Sequence, residues 1–479
     1  MKRGYLNQSY NWFLTRNSAD LGKTFLSEVQ HIIGQGLQPH MIKYLFLVIY
    51  LFNQTVAFTE NLIEKKISEN GSARATAYYV SNKIIEDANN LYVTYLDYEK
   101  ENFVIKVSNF DKFNLDLLKT INISKNVNND HSGANILIDK NQKLHIFYGS
   151  NAPLNYISLV DLSLESILAS TQIKRVVADY PTGVINQNNE ILTIFRNNRG
   201  SIKSDSLWEY KILKIADGKI KSQKKLIIGN IFKQPLKDMY LNFHAQLAIS
   251  PDNRVHLSFL FHERPKIDDL KLSVYRGIGY GIFYLYSDDF GETWKDIKNN
   301  QVNLPIEAKK EQFLVSQDNF SIPDKHYIKH SMTINPLTSK PVFSYTLINR
   351  RNSKFEVWVG EILDNKLISN QIQHTAAMTS IFVDSLGATY LALENFDPSK
   401  VSVSDEWWGN PYSSIKVLKK NNDNHDFEEI YSKKNDKKPL WLSRFPHYVS
   451  SDNLPQNPYL IFTEGIDLEK NNVYLLKIK

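Results

Sequence analysis

The stretch 128–158, NNDHSGANILIDKNQKLHIFYGSNAPLNYIS, reads as two strands joined by a polar turn. Ala134, Ile136 and Ile138 alternate on the first strand, and Leu144, Ile146 and Tyr148 on the second. Between them, Asp139-Lys140-Asn141-Gln142 has the composition of a hairpin loop. Antiparallel pairing brings the open ends of a hairpin to one sheet edge, so His131 and Asn151, twenty positions apart, are expected together.

The same strand–turn–strand pattern recurs along the chain. It begins at Tyr78 (YYVSNKIIEDANNLYVTYLDY), at Pro181 (PTGVINQNNEILTIFRN), at Ala245 (AQLAISPDNRVHLSFLF) and at Ser331 (SMTINPLTSKPVFSYTL). Two further copies start at Met378 (MTSIFVDSLGATYLALE) and at His447 (HYVSSDNLPQNPYLIFTE). With the opening stretch these make seven, at about 60 residues per unit, the spacing of four-stranded propeller blades. An all-β, seven-bladed β-propeller is the expected fold, with a pair of β-sandwiches as the alternative. Ser287-Asp288-Asp289-Phe290-Gly291-Glu292-Thr293-Trp294 fits the Asp-box S-x-D-x-G-x-T-W, a hairpin turn in which the aspartate ties down the loop and the Trp packs on the blade. That motif is structural and carries no chemistry of its own.

Composition narrows the function classes. The 479 residues include no cysteine, which excludes disulfides, thiolate zinc sites and cysteine nucleophiles. A net charge of +6 is compatible with an acidic partner or with a solvated Lys/Asn-rich surface. Lysines are scattered, so nucleic acid is not an expected partner. Met41-Ile-Lys-Tyr-Leu-Phe-Leu-Val-Ile-Tyr-Leu-Phe52, followed by Thr55 and Ala57, has the basic start, short apolar run and small residues of a secretory signal or signal anchor. Residues 1–57 are therefore expected to be an extension plus export signal with translation starting at Met41, and 58–479 a single propeller. A secreted or periplasmic monomer follows.

Polar residues recur at the hairpin ends. Tyr180 precedes the third copy, Arg196 ends it sixteen positions later, and His244 precedes the fourth. With His131 and Asn151 they occupy equivalent places, which in a propeller face the central axis. Taken singly each is an ordinary loop residue; in register they suit proton transfer beside a bound anion.

The segments DHSGANILIDKNQKLHIFYGSNAPLNY, YPTGVINQNNEILTIFRN and FHAQLAISPDNRVHLSFLFHE resemble the BNR-repeat propellers that include the ulvan lyases of polysaccharide lyase families 24 and 25. The resemblance implies β-elimination on a sulfated, uronate-containing polysaccharide. It puts His131 and Tyr180 in acid/base roles and Arg196 at the substrate carboxylate, with Tyr240 and His244 also contacting substrate. A second family histidine falls at Asn151, whose amide can donate to a carboxylate but cannot shuttle protons. Elimination needs no cofactor if Arg196 neutralises the carboxylate. No metal-ligand spacing stands out, and a structural cation, if present, is not located: His326 and His330 are four apart, but on a strand and loop rather than a helix face. A non-catalytic glycan-binding propeller is the rival reading. A sialidase ranks lower, since Arg196, Arg264 and Arg276 lack a Tyr/Glu nucleophile pair. Trp407-Trp408 fits packing between blades better than sugar stacking.

Overall fold

A repeated turn chemistry shapes the described residues of the computed structural model. These are 62–478, apart from 125–126, 128–130, 150–151, 160–161, 166, 198–208, 228–239, 265–277, 307–312, 317–324, 350–353, 396–412, 423–425 and 468. In five hairpins the inner strand runs into Asp139, Asn186, Ser250, Asn335 or Asp384. The carbonyl of each accepts from the N–H three residues on, in Gln142, Asn189, Asn253, Thr338 and Gly387. Side-chain oxygens of Asp139, Asn186, Asn335 and Asp384 accept further backbone N–H groups in the same turns. Asx chemistry of this kind reverses the chain and fixes which residues pair. The opening stretch behaves accordingly: Asn135–Ile138 pairs with Leu144–Tyr148, Ile136 opposite Ile146.

All elements among the described residues are strands, arranged in antiparallel sheets. Inner strands such as Ile191–Asn197 and Ala376–Val383 are buried on both faces, because each sheet is covered by its neighbours. Outer strands such as Lys366–Ile372 and Leu117–Asn122 alternate toward solvent. The Asp-box forms as its residues dictate. Asp289 Oδ1 accepts from Thr293 N at 2.8 Å, Ser287 Oγ accepts from Gly291 N at 2.7 Å, and Trp294 is fully buried in the adjoining core. Gly291 adopts φ +88°, and a Cβ there would stand 2.9 Å from Leu192, so only glycine serves.

Two departures from the expected hairpins matter. The last copy pairs Leu440–Arg444, not the segment at His447, with Tyr459–Glu464. The Asn-Leu-Pro-Gln-Asn-Pro run of residues 453–458 cannot supply a continuous ladder, and its prolines mislead the spacing. Second, Ile167–Ile185 is one long strand that joins the second and third copies into a single sheet. Its pairing with Ile191–Asn197 slips between Thr182↔Ile194 and Asp179↔Arg196. Tyr180 and Pro181 form this bulge, where proline's missing donor costs no ladder bond. Finally, Leu62–Gly71 lies beside the C-terminal strand Asn471–Ile478 in the sheet order, and its Gly71 bridges to Asp97. Among the described residues no helix is long and apolar enough to cross a membrane.

Candidate active site

The bulge sets Tyr180. Its φ of +55° is rarely adopted by a bulky side chain, and such strain persists only where surroundings enforce it. Those surroundings are specific. The Arg196 guanidinium lies 4.3 Å over the Tyr180 ring. Arg196 in turn donates to Asp179 at 2.7 Å in a pair almost closed to solvent. Adjacent residues of one bulge thus hold the phenol and anchor its cation. The Tyr78 ring stands 4.2 Å from Tyr180 on another side.

His131 is half-buried, its ring 5.5 Å from Tyr78 and 6.3 Å from Tyr180. Arg74 bridges this side, donating to Tyr78 Oη at 2.9 Å and approaching His131 Nε2 at 2.7 Å. The same Arg74 Nη1 stands 3.1 Å from His131 Nδ1, so one fixed donor faces this edge of the imidazole. His244 completes the row at 5.9 Å from Tyr180 and 5.0 Å from Tyr79. Lys329 Nζ sits 3.3 Å from His244 Nε2 and 4.9 Å from the Tyr79 ring. Burial lowers Lys329 to about 7, with Arg444 adding to the effect. Glu394, buried beside Arg444, is pushed up to about 7 by the same loss of solvent.

Of the residues picked from sequence, His131, Tyr180, Arg196 and His244 come together. Asn151 lies outside the described residues, as do Trp407-Trp408 and residues 1–57. Tyr240 opens the strand Tyr240–Ile249, but its side chain lies outside the described residues. His330 is fully buried against Ser258 Oγ at 3.0 Å, and burial drops it to about 3, so it serves the core. Sequence reading missed Arg74, Tyr78, Asp179 and Lys329. Lys329 had a signal: it stands six residues before the turn residue Asn335, as Tyr180 does before Asn186 and His244 before Ser250. Arg74 had none, because it lies outside the repeats.

A phenol, an imidazole and two guanidinium groups in mutual contact can move a proton next to a bound anion. Among the described residues the two acidic side chains tied to this region, Asp179 and Glu394, lie against Arg196 and Arg444. That is a poor start for the acid-plus-nucleophile carboxylate pair of most glycosidases.

The family description "BNR repeat-containing family member" matches residues 77–335. No curated protein sequence matches the chain. Among solved structures, a family PL25 polysaccharide lyase, an ulvan lyase, is similar with a TM-score of 0.64 at 12% identity, over 86% of this chain and 95% of that one. The same figures hold for its complex with -[GlcA(1-4)Rha3S]-. An α-L-arabinofuranosidase from Fusarium graminearum bound to an iminosugar inhibitor gives a TM-score of 0.42 at 8% identity, over 72% of this chain and 92% of that one.

Proposed function

This chain belongs to the BNR repeat-containing family, and from that premise we propose that it is a polysaccharide lyase acting on a uronate-containing, sulfated, ulvan-like polysaccharide. We infer that the underlying fold is a seven-bladed propeller. Dividing the sheets at the Tyr180 bulge and at the Gly71–Asp97 bridge gives six groups of four strands and one of six, which supports this reading. Leu62–Gly71 beside Asn471–Ile478 is then the closure between chain ends.

The observation that carries the reading is Tyr180 held between His131 and the Asp179-anchored Arg196. In β-elimination the C5–H bond breaks, electrons move to form C4=C5, and the C4–O bond breaks with a proton delivered to the departing oxygen. The carbanionic charge spreads onto the uronate carboxylate, where a fixed cation lowers the barrier. Tyr180 and His131 take the proton-transfer roles and Arg196 supplies positive charge to the carboxylate, with Asn151, Tyr240 and His244 as further substrate contacts. No cofactor is required in this scheme. Residues 41–57 direct the protein out of the cytoplasm, where an acidic polysaccharide is met by a monomer.

Asn151 in place of a second histidine favours one other reading, a glycan-binding propeller without turnover. Product analysis decides between them. Incubation with ulvan should release oligosaccharides ending in an unsaturated uronate; retention of intact ulvan by a protein that binds it would support the binding role instead.

A further inference from the structure

Beside the aromatic row lies a group of buried donors that the proposed chemistry does not use. Arg444 is 1% exposed; it donates to Ser443 O, and its Nη1 stands 3.9 Å from Glu394, beyond hydrogen-bond reach. Its Nε and Nη2 have no hydrogen-bond partner among the described residues. Neither ring nitrogen of His447, 3% exposed, has one either, nor do Tyr79 Oη and Asn135 Nδ2. These groups are linked. The backbone N–H of His447 donates to Asn82 Oδ1, the backbone N–H of Asn82 donates to Asn135 Oδ1, and the Arg444 guanidinium lies 5.5 Å from the Tyr79 ring. Neighbouring Lys83 is fully buried and donates to Ala134 O. Burial, reinforced by Arg444 and Lys83, holds His447 down at about 3, so its ring is neutral and offers one N–H.

The inventory is almost all donors: two guanidinium nitrogens, an imidazole N–H, a carboxamide and a phenol. Water would satisfy the donors, but the acidic group facing Arg444, Glu394 at 3.9 Å, is itself pushed up to about 7 by burial, so the guanidinium charge is only partly compensated in a medium of low dielectric. A small anion does both. We propose that Arg444 and His447, flanked by Lys83, Tyr79 and Asn135, form a buried binding site for a monovalent inorganic anion of the halide class. The site adjoins the Tyr180–His131 cluster through Tyr79 and His244 but uses none of its proton-transfer residues, and it stands whether or not the chain cleaves polysaccharide.

The test uses the full chain at constant ionic strength, with sodium chloride replacing sodium gluconate or sodium sulfate. Melting temperature should rise with the logarithm of chloride concentration, as mass action on a folded-state site requires, and bromide should substitute. Chlorine NMR should show a line broadened by the protein and narrowed by added bromide. Arg444→Lys and His447→Phe should each weaken chloride binding at least tenfold. Equal melting in chloride and gluconate, or an effect that sulfate reproduces, would overturn the site. So would equal chlorine line widths for wild type and a folded His447→Phe, which decides the matter if Arg444→Lys does not fold.

Discussion

Replacing Asp179 by alanine tests the construction of the bulge. The carboxylate is 1% exposed and sits 2.7 Å from an Arg196 guanidinium that is itself nearly closed to solvent. A buried pair returns little net stability when intact, but removing one partner strands the other charge, at about 3–5 kcal/mol. Asp179→Ala should therefore lose that much in urea unfolding monitored by tryptophan fluorescence. Asp179→Ala/Arg196→Met should be at least as stable as Asp179→Ala alone, because the orphaned cation has gone. Since Arg196 covers the Tyr180 ring, Asp179→Ala should also slow turnover at saturating substrate, while leaving distant strands unaffected. A stability loss below about 1 kcal/mol, the scale of a surface pair, would refute the idea that Asp179 anchors Arg196.

Three further outcomes follow from the same structure. Tyr180→Phe and His131→Ala should each cut kcat by about 10²–10⁴-fold without moving the unfolding midpoint, read by oligosaccharide release; full activity in either would remove that residue from the site. Lys329 has its pKa lowered from 10.5 to about 7 by burial, so its cost to folding is absent above 10.5 and complete below about 7. Relative to Lys329→Met, the wild type should lose stability as pH falls through that window, by up to about 1.4 kcal/mol per pH unit; parallel stability curves would contradict this. Asp289→Ala removes acceptors used by Thr293 N and Oγ1 and by Ser287 Oγ, and should cost about 1–2 kcal/mol in urea unfolding with unchanged activity.

The strand pairs were legible wherever a turn residue and alternating apolar residues coincided, as at Asp139 and Asn186. They were misplaced where prolines broke the pattern, so the inner strand Leu440–Arg444 was passed over for the segment at His447. Alternation also understated burial: Asn135 and His145 lie inside because neighbouring sheets cover both faces of their strands. Within the site, Tyr180, Arg196, His131 and His244 were found by their place at hairpin ends. Asp179 was adjacent to Tyr180 in sequence, yet its role depends on a bulge that shifts its pairing to Arg196. Arg74 reaches His131 across 57 residues from outside the repeats, a contact that only the folded chain creates.

The central claim rests on elimination chemistry, and the most direct measurement is the ultraviolet absorbance of a conjugated uronate double bond. Purified protein from residue 58 onward would be mixed with ulvan and with a panel of other uronate polysaccharides. The expected result is absorbance that climbs on ulvan and is lost with Tyr180→Phe. A flat trace alongside newly formed reducing ends would mean hydrolysis, and a flat trace with binding but no cleavage would mean a glycan-binding propeller; either result contradicts the lyase assignment.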